Sequence, residues 1–182
     1  MNEDRPFEVI DTKTAYENPW IKVREDAIVR KNGNKGIYGV LEVGDSVAIV
    51  AVNASDEICI VESYRHPIEQ WVWELPGGGN DGDNPADAAM RELEEEAGLA
   101  ADAYHVLGTA RVCNGLSTEY QTNVLALAVR GVKEFEPEDE IRAQRFVSLD
   151  DLDGMIINGE LSDNQSITAL YMYKQWLIAN RP

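Results

Sequence analysis

A mixed β-sheet sandwiched by helices and preceded by a small β subdomain, an α+β architecture, is the fold that this sequence predicts. Three stretches carry the prediction. Residues 7–43 read as strands and turns. The run SVAIVAV at residues 46–52 is almost continuously apolar, as a central strand buried on both faces must be. A well-signalled helix then follows the glycine-rich stretch, with strand-like segments on either side of it. Strands flanking a helix, followed by more strands and helices, stack as layers around one sheet. The predicted division places an N-terminal β subdomain in residues 1–44 and the main domain in residues 45–182.

Taken in order, FEVIDTKTAYE and WIKVREDAIVR carry alternating apolar positions, and KNGNKG is a hairpin turn signal before the strand YGVLEV. SVAIVAVNASDEICIVESYR reads as two strands separated by NASDE. From Trp71 to Leu99 a glycine-rich loop leads into a helix. Asn84 suits the N-cap, Pro85 the first helical position and Asp87 the first turn, while Gly98 suits a left-handed C-terminal cap. Ala89, Leu93 and Ala97 mark its buried stripe. VLGTARV and YQTNVLALAVR read as strands around the loop CNGLSTE, GVKEFEPEDEI as an acidic loop, and RFVSL as a short strand. DDLDGMIINGE reads as a helix. In the last segment Ile167, Leu170, Tyr171, Lys174 and Ile178 recur near helical spacing, which predicts a final amphipathic helix.

With 182 residues the chain is long enough to bury a full core without disulfides or metal staples. Its formal charge of −17 argues against nucleic acid or an anionic membrane as partner, because both demand a basic surface. An anionic substrate has to be met by local arginine or lysine and by metal. Cys59 lies in an apolar strand-like run and Cys113 is distant, so a reduced, cytoplasmic chain is expected. The polar start MNEDRPFEV and the lack of any long apolar run predict neither a signal peptide nor a membrane span.

The chemistry concentrates on the helix after the glycines. At about 100° per residue, Glu92, Glu95 and Glu96 fall within one arc of roughly 100°, apart from the buried stripe. Three carboxylates so placed repel one another unless a cation sits among them. Mg²⁺ or Mn²⁺ prefers oxygen ligands of this kind and usually shares them with a phosphate. A solvated acidic face is the alternative reading of the same charges.

The spacing of Gly77, Arg91, Glu92, Leu93, Glu95, Glu96, Gly98 and Leu99 resembles the signature box of the Nudix hydrolases, with Asp83 where that box has glutamate. The resemblance implies an α/β/α sandwich around a mixed sheet, with its box at residues 77–99. It implies a reaction in which water cleaves a nucleoside diphosphate linked to another group. It also implies Glu92, Glu96 and Glu95 as ligands of Mg²⁺ (or Mn²⁺), a metal-directed backbone carbonyl at Gly77, and structural roles for Arg91 and Gly98.

Nearly the whole length resembles the ADP-ribose pyrophosphatase branch, through ENPWIKVRE, VESYRHPIEQWVWELPGG and GELSDNQSITAL. That implies a homodimer, a nucleoside diphosphate sugar as substrate, and adenine stacking by Trp20 and Tyr38. Trp20 could instead be a core aromatic. Arg65 resembles a diphosphate-contacting arginine, and Glu74 a residue that meets the ribose or orients Arg65; an ordinary ion pair is the alternative. The branch draws its base from the loop EPEDEIRAQRF, where Glu140 matches best and Glu138 is the runner-up. Ser117 and Glu119 match a substrate loop, in which Asn114 stands where a proline is expected. ADP-ribose, cut to AMP and ribose 5-phosphate, is the leading expectation. GDP-sugars or dinucleotides, and a non-catalytic nucleotide-sugar sensor, are the rival ones.

Overall fold

The computed structural model describes residues 5–80, 82–137 and 139–180. The chain forms two compact units. The first holds the N-terminal strands through Gly44 together with Arg111–Tyr120; the second holds Asp45–Ala110 and the chain from Gln121 onward.

In the first unit, β1 (Phe7–Glu17), β2 (Ile21–Arg30) and β3 (Lys35–Val43) form an antiparallel sheet in that order. The β2–β3 turn is the one its residues demand. Gly33 takes φ 82°, its N–H donates to Arg30 O at 2.8 Å, and Arg30 N–H donates to Asn34 O at 2.9 Å. Cross-strand charges match along the sheet: Lys13 meets Glu25 at 2.8 Å, and Arg24 joins Glu42 on β3 as well as the buried Asp26 of its own strand. Val9, Ile10, Tyr16, Ile37 and Tyr38 remain exposed. The segment Arg111–Tyr120 attaches to β3, where Leu41 N–H donates to Leu116 O and Thr118 N–H donates to Leu41 O. Its ends are closed by Arg111, which lies 3.4 Å over the Tyr120 ring and donates to Thr118 O.

The second unit is built on β4 (Ser46–Val52), β5 (Ile58–Arg65), β6 (Gln70–Glu74), β7 (Gly77–Gly79), α1 (Pro85–Ala97), β8 (Leu99–Ala100), β9 (Ala103–Arg111), β10 (Tyr120–Leu127), β11 (Arg130–Gly131), β12 (Ile141–Val147), α2 (Leu149–Asn158) and α3 (Asn164–Ala179). The main sheet runs β12-β5-β4-β10-β9, with β6 on β5 and β7 on β4; β8 and β11 make a separate short ladder. β4 and β10 are parallel, Ser46 opposite Gln121 through Val52 opposite Leu127, whereas β12 and β6 are antiparallel to β5. The sheet is therefore mixed.

Alternation along β4 explains its continuous hydrophobicity. Val50 and Val52 pack with Leu152, Met155, Leu170 and Tyr173 of α2 and α3, while Ile49 and Ala51 pack with Ala89, Leu93 and Ala97 of α1. Both sheet faces are covered, which makes the α/β/α sandwich.

The helix signals are realised in the structure. Asn84 Oδ1 accepts from Ala86 N–H, Pro85 opens α1, and Gly98 caps it at φ 63° with its N–H on Glu94 O. Ser148 caps α2 and Asp163 caps α3.

Three expectations are corrected. The glycine run is not a loop throughout, since Gly77–Gly79 forms β7 against β4. The strand from Tyr120 stops at Leu127, because Ala128 turns to φ 54°. On α3 the buried face is Ser166, Ala169, Leu170 and Tyr173, while Tyr171 and Ile178 are exposed. Polar Ser166 lies inside that face because it has a backbone partner there, which apolar periodicity does not register.

A Cβ on Gly77 would stand 2.3 Å from the backbone O of Val47, whereas one on Gly78 would meet only the movable Glu92 carboxylate at 2.5 Å. Gly77→Ala is therefore expected to lower unfolding free energy in urea by about 2–3 kcal/mol, as overpacking does, and Gly78→Ala by less than about half of that. Equal losses would show that β7 does not need its close approach to β4.

Candidate active site

The site is assembled where α1 crosses β7. Three consecutive glycines receive three side chains of one helix. Glu96 Oε2 accepts the Gly77 N–H at 2.8 Å, the Glu92 carboxylate lies against the Cα of Gly78, and the Arg91 guanidinium donates to Gly79 O at 2.9 Å. Arg91 also donates to Glu92 Oε1 at 2.6 Å and reaches Glu95 at 3.5 Å. It thus ties the helix to the glycine strand through the Gly79 carbonyl, while the Glu92 and Glu95 carboxylates of its own helix hold the guanidinium in place. Burial pushes the Glu96 carboxyl up to about 8, against the lowering effect of the Gly77 N–H, and the neighbouring Glu92 and Glu74 carboxylates add to the rise.

Next to this cluster, β5 delivers Arg65. Its Nε donates to Glu74 Oε2 at 3.0 Å and its Nη2 to Glu74 Oε1, a bidentate pair across β5 and β6. Glu74 is only 4% exposed, so a fixed partner holds the guanidinium in place. Arg65 lies between two cavities. One, of about 250 Å³, is lined by Arg65, Tyr64, Glu92, Glu95, Glu96 and Glu140. The other, of about 150 Å³, is lined by Arg65, Glu74, Gly77, Gly78, Asp163 and Gln165 among others. The structure thus brings Arg65, Glu74, Gly77 and the three α1 carboxylates together, and Glu140 enters from the loop before β12. Glu138 lies outside the described residues. Gly98 ends α1 and lies apart from both of these cavities.

The remaining predicted residues belong to the first unit. Trp20 is 79% exposed, which excludes a core role for it. The Tyr38 ring stacks on Phe7 at 6.0 Å and its hydroxyl donates to Gly115 O at 3.1 Å, within the segment that carries Asn114. Ser117 Oγ accepts from Glu119 N–H at 3.0 Å.

Sequence reasoning assigned no role to Ser166, Asp163 or Gln165. Ser166 Oγ accepts from Leu75 N–H at 2.9 Å and donates to Asp163 Oδ2 at 2.7 Å, so the start of α3 fastens the residues just before β7. The pattern GELSDNQSITAL was visible, yet only tertiary contact shows which backbone group it serves.

Among the described residues, no three His, Cys, Asp or Glu side chains are already gathered around a metal position. The donor set nonetheless fits a hard divalent cation. Glu92, Glu95, Glu96 and Glu140 bring only carboxylate oxygens to one cavity, and the proton that burial keeps on Glu96 is one that a bound cation would displace.

Residues 43–170 match the NUDIX domain, and residues 7–41 match the nucleoside diphosphate sugar hydrolase N-terminal domain. The chain is 34% identical over 139 residues to an ADP-ribose pyrophosphatase of Mycobacterium tuberculosis, across 75% of this chain and 67% of that protein. It is 26% identical over 144 residues to a methanol dehydrogenase activator of Bacillus methanolicus, across 79% and 76%. The crystal structure of an ADP compounds hydrolase shares the fold, with a TM-score of 0.84 over 96% of both chains at 19% identity. A glycine strand gripped by an Arg-Glu-x-x-Glu-Glu helix, and a domain match spanning most of the chain, make this protein a member of the Nudix hydrolase family.

Proposed function

We propose that this protein hydrolyses the diphosphate bond of ADP-ribose or a closely related nucleoside diphosphate sugar in a reaction that requires Mg²⁺ or Mn²⁺, releasing AMP and ribose 5-phosphate from ADP-ribose. The observation that carries the reading is the single cavity shared by Arg65, the three α1 carboxylates and Glu140. It combines a cationic anchor for a diphosphate, oxygen donors for a metal, and a carboxylate on a separate loop. The ADP-ribose pyrophosphatase of M. tuberculosis and the nucleoside diphosphate sugar hydrolase N-terminal match support the substrate class.

Glu92, Glu96 and Glu95, with the Gly77 carbonyl, would hold the cation. When bound, the cation neutralises the diphosphate and acidifies water. Arg65, oriented by Glu74, binds a diphosphate oxygen with the Nη1 donors that the Glu74 pair does not use. Glu140 takes the proton of the attacking water; Glu138 is the alternative base. Arg91 and Gly98 keep the box in shape. Trp20 and Tyr38 stack on the base, with Ser117 and Glu119 on the substrate loop. Asn114 in place of proline is the feature that favours a second reading, in which another nucleotide sugar is preferred.

The same reading makes the chain a homodimer. Exposed Val9, Ile10, Tyr16 and Ile37 on the three-stranded sheet supply apolar surface for a second copy. A cytoplasmic setting agrees with two cysteines that are both free and with the absence, among the described residues, of a helix able to cross a membrane.

Phosphatase-coupled phosphate release across ADP-ribose, GDP-mannose, NADH and diadenosine polyphosphates, with and without Mg²⁺, tests the reading directly. ADP-ribose is expected to be turned over fastest, and only with metal. Binding of a nucleotide without turnover of any would sink the enzymatic reading. Glu96→Gln keeps an acceptor for the Gly77 N–H and, without metal, replaces a mostly protonated carboxyl by another neutral group, so its thermal midpoint should hold while kcat falls at least about 100-fold. Millimolar Mg²⁺ should raise the thermal midpoint of the wild type and not that of Glu96→Gln; an equal rise in both would reject the ligand assignment. Trp20→Ala should raise KM for ADP-ribose about tenfold, since base–aromatic stacking contributes about 1–3 kcal/mol, with kcat unchanged. An unchanged KM would remove Trp20 from the base site.

A further inference from the structure

The loop that ends in Glu140 is anchored at its C-terminal side by an arrangement that the reaction chemistry does not itself require. Tyr64 N–H donates to Glu140 O at 2.8 Å, and the next residue, Ile141, is buried. Arg142 then occupies a β-bulge. Ile141 pairs with Ser63 and Ala143 with Glu62, so Arg142 is the extra residue between them. Its guanidinium makes a two-pronged bond to Glu62, Nε to Oε2 at 2.7 Å and Nη2 to Oε1 at 2.6 Å. It also lies 4.4 Å over the ring of Trp71, which packs at 5.4 Å against Tyr64, the residue that holds Glu140. Arg142 does not line the cavity that contains Glu140 and the α1 carboxylates.

We propose that Arg142 is a positioning residue for Glu140, its bulge clamped by Glu62 and Trp71 so that the Glu140 backbone is fixed against Tyr64. This rests on the reading of Glu140 as the base. A bulge re-aims the residues beside it, and the side chain of the extra residue is free to grip the neighbouring strand. Arg142 does so with both the planar fork and the flat face of its guanidinium, a pairing that lysine cannot reproduce. A base displaced by about 1 Å loses most of its effect on kcat while substrate binding through Arg65 persists.

The test is steady-state kinetics on ADP-ribose with Mg²⁺ for Arg142→Met, Arg142→Lys, Glu62→Gln, Glu140→Gln and the double variant Arg142→Met/Glu140→Gln, with amide exchange at Tyr64. Arg142→Met and Glu62→Gln should each lower kcat about tenfold with KM within about twofold, and Arg142→Lys should recover part of the loss. Exchange at Tyr64 should quicken in Arg142→Met, and Arg142→Met should cost nothing further once Glu140 is Gln. A defective Glu140→Gln beside a fully active Arg142→Met would overturn the positioning role and leave the base assignment standing. The same loss from Arg142→Met with and without Glu140 would also overturn it, since Arg142 would then act elsewhere. Wild-type kcat in Glu140→Gln would remove the base reading and this role together, and unchanged Tyr64 exchange would show that the clamp does not hold the loop.

Discussion

The close approach of α1 to the three-residue strand of glycines governs the whole site. A helix normally keeps a strand at side-chain distance. Here Ala88, Ala89, Leu93 and Ala97 bring its buried face down on the sheet, and the glycines have no Cβ to hold it off. Each glycine then offers a different group to the helix: the N–H of Gly77 to Glu96, the bare Cα of Gly78 to Glu92, the carbonyl of Gly79 to Arg91. A single backbone hydrogen bond and one arginine are modest compensation for carboxylates placed this deep, which is why Glu96 is held so far above its usual range. The fold tolerates the arrangement because the two core clusters on either side of β4 supply the stability that the site does not.

Charge organises the rest. With 33 acidic residues against 16 basic ones, arginine is scarce, and the structure pairs it tightly. Arg65 is bound to Glu74, Arg91 to Glu92, Arg142 to Glu62 and Arg24 to Glu42. Such pairs on a protein surface contribute little to stability. Their effect is geometric: a guanidinium held along one edge, as Arg65 and Arg142 are, presents its remaining N–H groups in a defined direction. An anionic ligand approaching so acidic a molecule meets attraction only at close range, beside an arginine fixed in this way.

How much of this was legible follows from how local each signal is. The caps of α1, the Gly33 turn and the two-sided burial of β4 are written within a few residues of where they act, so the sequence alone shows them. The carboxylate arc was visible from helical spacing alone. What was hidden depends on partners far along the chain. Gly77–Gly79 reads as a loop until β4 is placed beside it, because pairing, and not propensity, makes it a strand. Ser166 looks like an interruption of an apolar face until Leu75 N–H is found on its hydroxyl. Nothing in CNGLSTE announces that it bonds to Leu41 of the N-terminal strands.

The parallel ladder at the centre of the sheet carries a consequence for biosynthesis. β4 pairs with β10, residues 46–52 against residues 121–127, and everything between them, including the glycine strand and α1, is the connection that this pairing closes. A nascent chain emerging from the ribosome can form the N-terminal hairpin at once. The sheet, however, stays open until residues beyond 127 are clear of the exit tunnel, and the loop that carries Glu140 and α3 follow later still. Long-range pairing of this kind is slow and leaves apolar strands exposed meanwhile. The strand buried deepest in the finished sheet is thus the one that waits longest, uncovered, for its partner.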